Sequence, residues 1–250
     1  MCSPPPLPLL LPPSLPPSLA DPIDGTKGFL RGDQFAVALA LLDEGRPVVS
    51  CLGCPNLGDA GRLFYAMRGA GAYESNVFGD GRSDSLGPAT DLDPIGDPIA
   101  SGARRVRVQP EPVGGGLVRC EAFEGKHTDH AHAAAVAEQL GCSGTPPIRM
   151  DGQGKYGVVA RGEAHVYMRL PPAGYRERIW DHAAGSLLVT EAGGRVSDLS
   201  GRPLDFSRGD QLSADVSGIV ASNGVVHDAL LRALGSAEVD GSPTSVAGGA

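Results

Sequence analysis

The sequence predicts a layered α/β protein, and two observations support this fold class. Helix-like and short strand-like segments alternate through the second half of the chain, which is the order in which helices pack on sheets. The 250 residues are 41% hydrophobic, which suffices to build one large domain or two small ones. The formal net charge of −8 argues against non-specific binding to nucleic acid or anionic membranes, and an anionic substrate would need a local positive patch or bound cations.

Composition divides the chain into four regions. Residues 1–20 carry no charge and are mostly Pro, Leu and Ser, which predicts a disordered, polyproline-like leader rather than a signal or transit peptide. We expect residues 21–108 to form a first α+β subdomain and residues 109–236 a C-terminal α/β subdomain. Residues 237–250 are small and polar, and we expect them to fray. With no usable targeting segment and no apolar stretch of membrane length, we expect a cytoplasmic or organellar monomer.

Strand and helix signals can be placed along both subdomains. The apolar runs at 35–42 and 46–52 flank an Asp-Glu-Gly turn and predict a β-hairpin. Periodicity, turn residues and glycine stops predict a strand or hairpin at 62–74, a surface loop at 79–103, a strand at 104–108, a helix from about 128 to 140, two strands within 157–170, a helix from Asp181 to about Ala192, and a strand followed by a helix within 218–234.

The stretch DPIDGTKGF, residues 21–29, places two carboxylates on one tight turn. Its proline fixes the backbone after Asp21 and its glycine permits a reversal after Asp24, so both carboxylates and the Ile23 carbonyl can converge on one point. Hard oxygen ligands with open positions are typical of Mg²⁺ sites that water and a substrate phosphate complete. Thr26 follows where backbone N–H groups would face a phosphate, and its hydroxyl is placed to orient an attacking water. The alternative is an acidic turn in which an aspartate caps a helix.

A further acidic position lies in IWDHAAGSLLVTEAGG, residues 179–194. Asp181 is expected at a helix N-terminus, where a carboxylate is electrostatically favoured. Taken alone, the pattern is typical of an ordinary N-cap, and the presence of DPIDGT in the same chain shifts the balance away from that interpretation. We expect the neighbouring Trp180 to pack in the core.

Together the two motifs resemble the inositol monophosphatase-like superfamily of Mg²⁺-dependent phosphatases. Within it, LGCPNL, EGKH, GKYGVVARGEAHVYMRLP and ERIWDHAAGSLLVTEAGGRVSDLSGRPLDF resemble the 3′(2′),5′-bisphosphate nucleotidases, from about residue 21 to 235. The resemblance implies a layered sugar-phosphatase sandwich that hydrolyses adenosine 3′,5′-bisphosphate, a by-product of sulfate assimilation and sulfotransfer, to AMP and phosphate. It also implies two or more Mg²⁺ ions, inhibition by lithium, and a small-molecule partner rather than nucleic acid or a membrane.

Carried over position by position, the resemblance assigns the residues of the site. The metal ligands would be Asp21, Ile23 through its carbonyl, Asp24 and Asp181. The substrate-binding residues would be Thr26, His127, Lys155, Arg169 and Asp181. The catalytic residues, which position and activate the attacking water, would be Thr26, Asp21 and Asp24. Cations of this kind suit a doubly phosphorylated substrate that approaches an acidic protein.

Other interpretations of these residue types stay open at this stage. Lys155 and Arg169 are also compatible with solvated surface charges. The histidines at 127, 130 and 132 are close enough in sequence for a zinc cluster, although no clear acidic partners accompany them. Cys51 and Cys54 form a C-x-x-C without a second pair, which leaves a zinc or redox role as an alternative to reduced, structural thiols.

The sequence departs from the family pattern at two places. Nothing acidic precedes Asp21, and a proline-rich stretch stands where a strand should lead into the motif. We therefore expect an N-terminally truncated sandwich that lacks an upstream metal ligand, the base partner of Thr26 and the helices that cover one sheet face. Gly152 stands where the family often has a serine, which removes one hydroxyl contact to the substrate.

These departures bear on function. Loss of a metal ligand and of a base partner is expected to lower or abolish hydrolysis by this chain. The alternatives to a nucleotidase are an inositol (poly)phosphate phosphatase on the same scaffold, a non-catalytic nucleotide-binding remnant, or a fragment without a stable fold.

Overall fold

The structure, a computed structural model, describes residues 17–78, 103–110, 116–123, 130–141 and 144–240. Residues 237–240 are described by their backbone alone. The strands are β1 (Ser18–Asp24), β2 (Ala36–Asp43), β3 (Arg46–Cys54), β4 (Arg62–Met67), β5 (Gly71–Ser75), β6 (Arg104–Val106), β7 (Arg119–Ala122), β8 (Ile148–Met150), β9 (Val166–Arg169), β10 (Arg195–Asp198) and β11 (Ile219–Ser222). The helices are α1 (Thr26–Arg31), α2 (His130–Gln139), α3 (Gly154–Ala160), α4 (Ala183–Glu191) and α5 (His227–Asp240), and a 3₁₀ turn at Ile179–Asp181 precedes α4. Among these residues, none of the helices has both the length and the apolar composition that crossing a bilayer requires.

The first sheet is an antiparallel meander in which β1 to β6 lie side by side in chain order. Along β2, every second residue from Ala36 to Leu42 is buried and the residues between them are more exposed, as expected for a sheet with one covered face. The β2–β3 hairpin turns at Glu44 and Gly45, which both have positive φ, as a type I′ turn requires. The predicted hairpin is confirmed.

The second sheet has the strand order β10-β11-β9-β7-β8, in which β7 is parallel to β8 and β9 and the other pairs are antiparallel. Every residue of β9 and β11 is buried, as in sheets that are covered on both faces. On one face, Val136 of α2 and Leu230 of α5 join Met168 and Val220 of the sheet in one apolar cluster.

Helices α3 and α4 lie between the two sheets. Helix α4 packs on β3 and β4 of the first sheet and on β10 and β11 of the second. Tyr156 of α3 shares one apolar core with Phe64 of β4 and Ile219 of β11. The two helices approach so closely that an added Cβ at Gly185 of α4 would overlap the Tyr156 ring. The layers therefore run first sheet, α3 with α4, second sheet, α2 with α5, which confirms the predicted layered α/β architecture.

The face of the first sheet that points away from α3 and α4 exposes apolar side chains. Val37 and Leu39 of β2, Val49 of β3 and Met67 of β4 are between 41% and 56% exposed, and Val49 pairs directly with Met67. We call these four residues the open face. Contiguous apolar surface of this kind is uncommon on a monomeric protein.

Two segments differ from the sequence predictions. Residues 18–20, which composition assigned to the leader, belong to β1, and the Leu42 N–H donates to the carbonyl oxygen of Pro17 at 2.9 Å. Residues 157–160, predicted as a strand, form the second half of α3. Every residue of α3 is buried, so its apolar run has no exposed positions whose spacing distinguishes a helix from a strand.

The expected region boundaries fall partly outside the described residues. Helix α5 continues to Asp240, so its last residues lie in the tail that we expected from residue 237. The rest of the leader (1–16), most of the predicted loop (79–102) and the end of the tail (241–250) lie outside the described residues. The subdomain boundary expected at residue 108 lies between β6, which ends the first sheet, and β7, which begins the second.

Candidate metal and phosphate site

The two aspartates of DPIDGT lie on β1, at the edge of the first sheet. Asp21 pairs with Ala38 and Asp24 pairs with Ala36, so three steps along β1 match two steps along β2. Residues three apart in a regular strand point to opposite faces, whereas this bulge returns both aspartates to the same face. Pro22 lies within the bulge on an edge strand, where a missing N–H is tolerated. The local sequence therefore brings two carboxylates to one side of the sheet.

A third carboxylate reaches the same point from the second motif. Asp181 is the last residue of the 3₁₀ turn, and His182 is the N-cap of α4, without a side-chain capping bond. One carboxylate oxygen from each of Asp21, Asp24 and Asp181 lies within 4.8 Å of the other two. We call these three residues the carboxylate cluster. The ordinary N-cap alternative for Asp181 is therefore wrong.

The carboxylate cluster holds negative charge that its surroundings only partly balance. Burial raises the pKa of Asp24, and the Lys155 ammonium opposes that shift. Burial, together with the carboxylates of Asp24 and Asp21, raises the pKa of Asp181 to about 8. Carboxylate oxygens are the hard donors that Mg²⁺ prefers, and a divalent cation would relieve their repulsion. The donor set therefore fits the metal that the sequence analysis expects.

Two hydrogen bonds and a close backbone contact order the turn that carries Asp21 and Asp24. The Ile23 N–H donates to Oδ1 of Asp21 at 3.1 Å, and the Thr26 hydroxyl donates to the Ile23 carbonyl oxygen at 3.4 Å. Gly152 lies against this turn with a φ of +67°, and a Cβ there would be 2.6 Å from the carbonyl oxygen of Asp24. This close approach of two backbones explains a glycine where the family often has a serine.

The carboxylate cluster opens into a pocket of about 290 Å³. The predicted site residues that line this pocket are Asp21, Ile23, Asp24, Thr26, Lys155, Arg169 and Asp181. His127, the remaining predicted residue, lies outside the described residues. The fold thus brings together seven residues that the sequence analysis took from motifs far apart in the chain.

The two predicted cations are buried in the wall of this pocket. Lys155 is 6% exposed and Arg169 is 8% exposed, so the interpretation as solvated surface charges is wrong. The Lys155 ammonium donates to the carbonyl oxygens of Gly152 at 2.6 Å and Met150 at 3.3 Å. Burial lowers the pKa of Lys155, and the charge of Asp24 opposes that shift.

A buried polar group that was not predicted from the sequence lies beside the carboxylate cluster. Arg169 donates from Nε to Glu177 Oε1 at 2.7 Å and from Nη2 to Glu177 Oε2 at 3.3 Å. Oε2 also lies 3.1 Å from Nε2 of His182, whose Nδ1 lies 2.7 Å from the Tyr156 hydroxyl. We call these four residues the Glu177 network. Burial opposes ionisation of Glu177, but His182 and Arg169 hold its pKa at about 2.

A signal for the Glu177 network was present in the sequence. Glu177 and His182 flank Asp181 within ERIWDHA, and Tyr156 directly follows Lys155. Their pairing could not be predicted because the four partners come from α3, β9 and the segment before α4.

The cysteine and tryptophan alternatives can also be assessed. Cys51 is half-buried and Cys54 is buried, and residues three apart on a strand point to opposite faces, so the two thiols of β3 do not share a metal. Trp180 packs against the apolar core, as expected. The zinc alternative that includes His127 lies partly outside the described residues.

Comparison with known proteins agrees with this geometry. The model of the "Inositol monophosphatase family" matches residues 16–238. The chain is 46% identical over 218 residues to a "3'(2'),5'-bisphosphate nucleotidase" of Oryza sativa, and the alignment covers 86% of this chain and 57% of the relative. It is 42% identical over 221 residues to a protein of the same name from Emericella nidulans, and this alignment covers 86% of this chain and 61% of the relative. The chain thus spans less than two thirds of the length of these curated relatives.

Two solved structures share the fold. CysQ from Bacteroides thetaiotaomicron, described as a bacterial member of the inositol monophosphatase family, superposes with a TM-score of 0.62 at 22% identity, over 83% of this chain and 69% of that one. The extragenic suppressor protein suhB from Bartonella henselae superposes with a TM-score of 0.59 at 27% identity, over 87% of this chain and 68% of that one. Since the family model covers most of the sequence and these structures share its layers, the chain belongs to the inositol monophosphatase family.

Proposed function

We propose that this chain carries a 3′(2′),5′-bisphosphate nucleotidase site, which hydrolyses adenosine 3′,5′-bisphosphate to AMP and phosphate with the help of Mg²⁺. The observation that supports this most strongly is that three carboxylates from two distant motifs meet in one pocket with two buried cations. Carboxylates alone would repel a phosphate, and cations alone would not hold a metal. The names of the relatives favour a nucleotide over an inositol phosphate as the substrate.

In this proposal, each residue of the site has a separate role. The carboxylate cluster and the Ile23 carbonyl hold Mg²⁺, in two or more positions. When bound, Mg²⁺ lowers the pKa of a coordinated water and neutralises charge on the phosphate. The Thr26 hydroxyl orients the attacking water and contacts the phosphate. Lys155 and Arg169 hold the nucleotide and its phosphates from the pocket wall, and His127 contributes to the same binding.

Two further properties follow from the resemblance. We propose that lithium inhibits the reaction and that the enzyme clears the bisphosphate nucleotide produced by sulfate assimilation and sulfotransfer. Because the chain spans 57% to 61% of the nucleotidase relatives, we expect slow hydrolysis by the chain as given. Loss of an acid/base or electrostatic group typically lowers the rate by about 10² to 10⁴.

Phosphate release by this chain tests the proposal. Adenosine 3′,5′-bisphosphate and inositol 1-phosphate are compared at equal concentration with Mg²⁺, with and without lithium. We expect release from the nucleotide that lithium suppresses and that Asp21→Asn abolishes, since this variant removes a charge from the carboxylate cluster. Asp43→Asn, an exposed change at the end of β2, is the matched control and should leave the rate unchanged.

Three outcomes would contradict the proposal in different ways. Equal release by the Asp21→Asn variant would exclude a role for the carboxylate cluster. Faster release from inositol 1-phosphate would assign the inositol phosphate alternative. Tight binding of the nucleotide by a folded chain that releases no phosphate would favour the non-catalytic remnant.

A further inference from the structure

A buried arginine beside the carboxylate cluster poses a problem for metal binding. A guanidinium pairs readily with carboxylates through two parallel hydrogen bonds. If Arg169 made such a pair with the cluster, it would occupy the oxygens that a cation needs. Some feature of the pocket has to direct Arg169 elsewhere.

Glu177 provides that alternative partner. It is 1% exposed and accepts from both Nε and Nη2 of Arg169, which fixes the plane of the guanidinium. Glu177 also lies next to the carboxylate cluster, because one of its oxygens is within 4.8 Å of ligand atoms of Asp181 and His182. Glu177 is therefore close both to Arg169 and to Asp181 of the carboxylate cluster.

The same geometry argues against Glu177 itself as a metal ligand. Oε1 accepts from Arg169, and Oε2 accepts from Arg169 and lies 3.1 Å from Nε2 of His182. His182 is held in turn by the Tyr156 hydroxyl, 2.7 Å from its Nδ1. Both oxygens of Glu177 are thus engaged, and the carboxylate is held through His182, the N-cap of α4, and Tyr156 of α3.

We propose that Glu177 is a positioning residue that holds the Arg169 guanidinium off the carboxylate cluster and thereby keeps the cluster available for a divalent cation. This inference rests on the proposed function, because it requires the carboxylate cluster to bind a metal. It adds a role for a residue outside the ligand set, and it concerns the metal-binding step rather than hydrolysis.

A double-mutant cycle on metal binding tests this role without measuring activity. Mg²⁺ binding by isothermal titration calorimetry, with Mn²⁺ as a second probe, is compared for the full chain and for Glu177→Gln, Arg169→Met and the double variant. We expect Glu177→Gln to bind about 10- to 100-fold more weakly, the usual effect of losing a partner outside the ligand set. The Mg²⁺ affinities of Arg169→Met and of the double variant should both lie within about threefold of that of the original chain. In both variants the guanidinium that would compete for the carboxylate cluster is absent.

If the effects of the Glu177 and Arg169 substitutions on metal affinity are not additive, Glu177 acts by positioning Arg169 and not by its charge alone. If charge alone mattered, Arg169→Met would tighten binding by the factor by which Glu177→Gln weakens it, and that additive result would overturn the proposal. A double variant as weak as Glu177→Gln would also overturn it, since Glu177 would then act as a ligand or as a structural support. The absence of Mg²⁺ and Mn²⁺ binding by the original chain would remove the metal site, and with it both the proposed function and this inference.

Two further measurements keep the test interpretable. Glu74→Gln is the matched control, since Glu74 is also a buried glutamate paired with an arginine, Arg104, but does not line the pocket, so metal affinity should not change. If Glu177→Gln does not fold, the Arg169 Nε–H resonance of the original chain replaces it. We expect that resonance to keep its position when Mg²⁺ is added, and a shift to a new partner would overturn the proposal.

Discussion

The two sheets of this protein are covered to different degrees. In the second sheet, β9 and β11 are buried at every residue, between α3 and α4 on one face and α2 and α5 on the other. In the first sheet, β2 alternates between buried and more exposed residues, and the open face carries apolar side chains. The carboxylate cluster takes Asp21 and Asp24 from the edge of the less covered sheet and Asp181 from the turn that leads into α4. The site therefore joins a well-packed part of the chain to a part with fewer packing contacts.

The largest expected effect comes from equal truncations on the two sheets. Met168 of β9 is 1% exposed, whereas Met67 of β4 is 56% exposed on the open face. Met168→Ala should lower the free energy of unfolding by about 2–5 kcal/mol, because it removes buried contacts and leaves a cavity. Met67→Ala should change it by less than about 0.5 kcal/mol, as at other exposed positions. Urea unfolding followed by circular dichroism measures both, and similar losses would show that a partner covers the open face in solution.

An intermediate effect on stability is expected from pH, through a histidine that is hydrogen-bonded to two strands of the second sheet. His227 begins α5, with Nε2 2.9 Å from the Ser197 hydroxyl of β10 and Nδ1 2.8 Å from the Ser222 hydroxyl of β11. Burial, reinforced by Arg195, lowers its pKa to about 4. The unfolded chain, with a histidine pKa of about 6.5, binds the proton more readily, so this stability is present above about pH 6.5 and is lost as the pH falls towards 4.

The full loss is about 3.5 kcal/mol by linkage, since the folded pKa of about 4 lies about 2.5 below the unfolded value of 6.5 and one pKa unit corresponds to roughly 1.4 kcal/mol. Urea unfolding at pH 7, 5.5 and 4.5 should therefore show a steeper fall for the original chain than for His227→Gln, which cannot take up the proton. The described residues of β1 to β6 include no histidine, so the first sheet should contribute no matching change in this range. Parallel pH profiles for the two proteins would contradict the prediction.

The smallest effect on stability, but a clear one on association, is expected from the open face. Leu39→Thr and Val49→Thr each place a β-branched residue, which suits a strand, and remove exposed apolar surface. The free energy of unfolding should change by less than about 0.5 kcal/mol, while sedimentation velocity should show less self-association at high concentration. A loss of more than about 1 kcal/mol would mean that these side chains pack against part of the chain.

The convergence of the carboxylate cluster could be predicted from sequence because each motif is a run of adjacent residues. DPIDGT brings two carboxylates together through a local bulge, and IWDHAAG places the third directly before a helix. Helix α3 was mispredicted because all its residues are buried, so periodicity carried no information. The Glu177 network was missed for a different reason. Glu177 and Arg169 are eight positions apart, and only the fold shows that they pair with each other rather than with solvent.

The carboxylate cluster also has a consequence for the order of events during synthesis and folding. Asp21 and Asp181 are about 160 residues apart, so a loop of that length must close before the third carboxylate arrives, at an entropic cost that grows only slowly with length. A nascent chain in which Asp181 has not yet emerged offers only the two carboxylates of β1 to a cation. A divalent ion bound by all three carboxylates would stabilise only molecules in which both ends of this loop are in place. Its stabilising effect would therefore come late in folding, after the loop has closed.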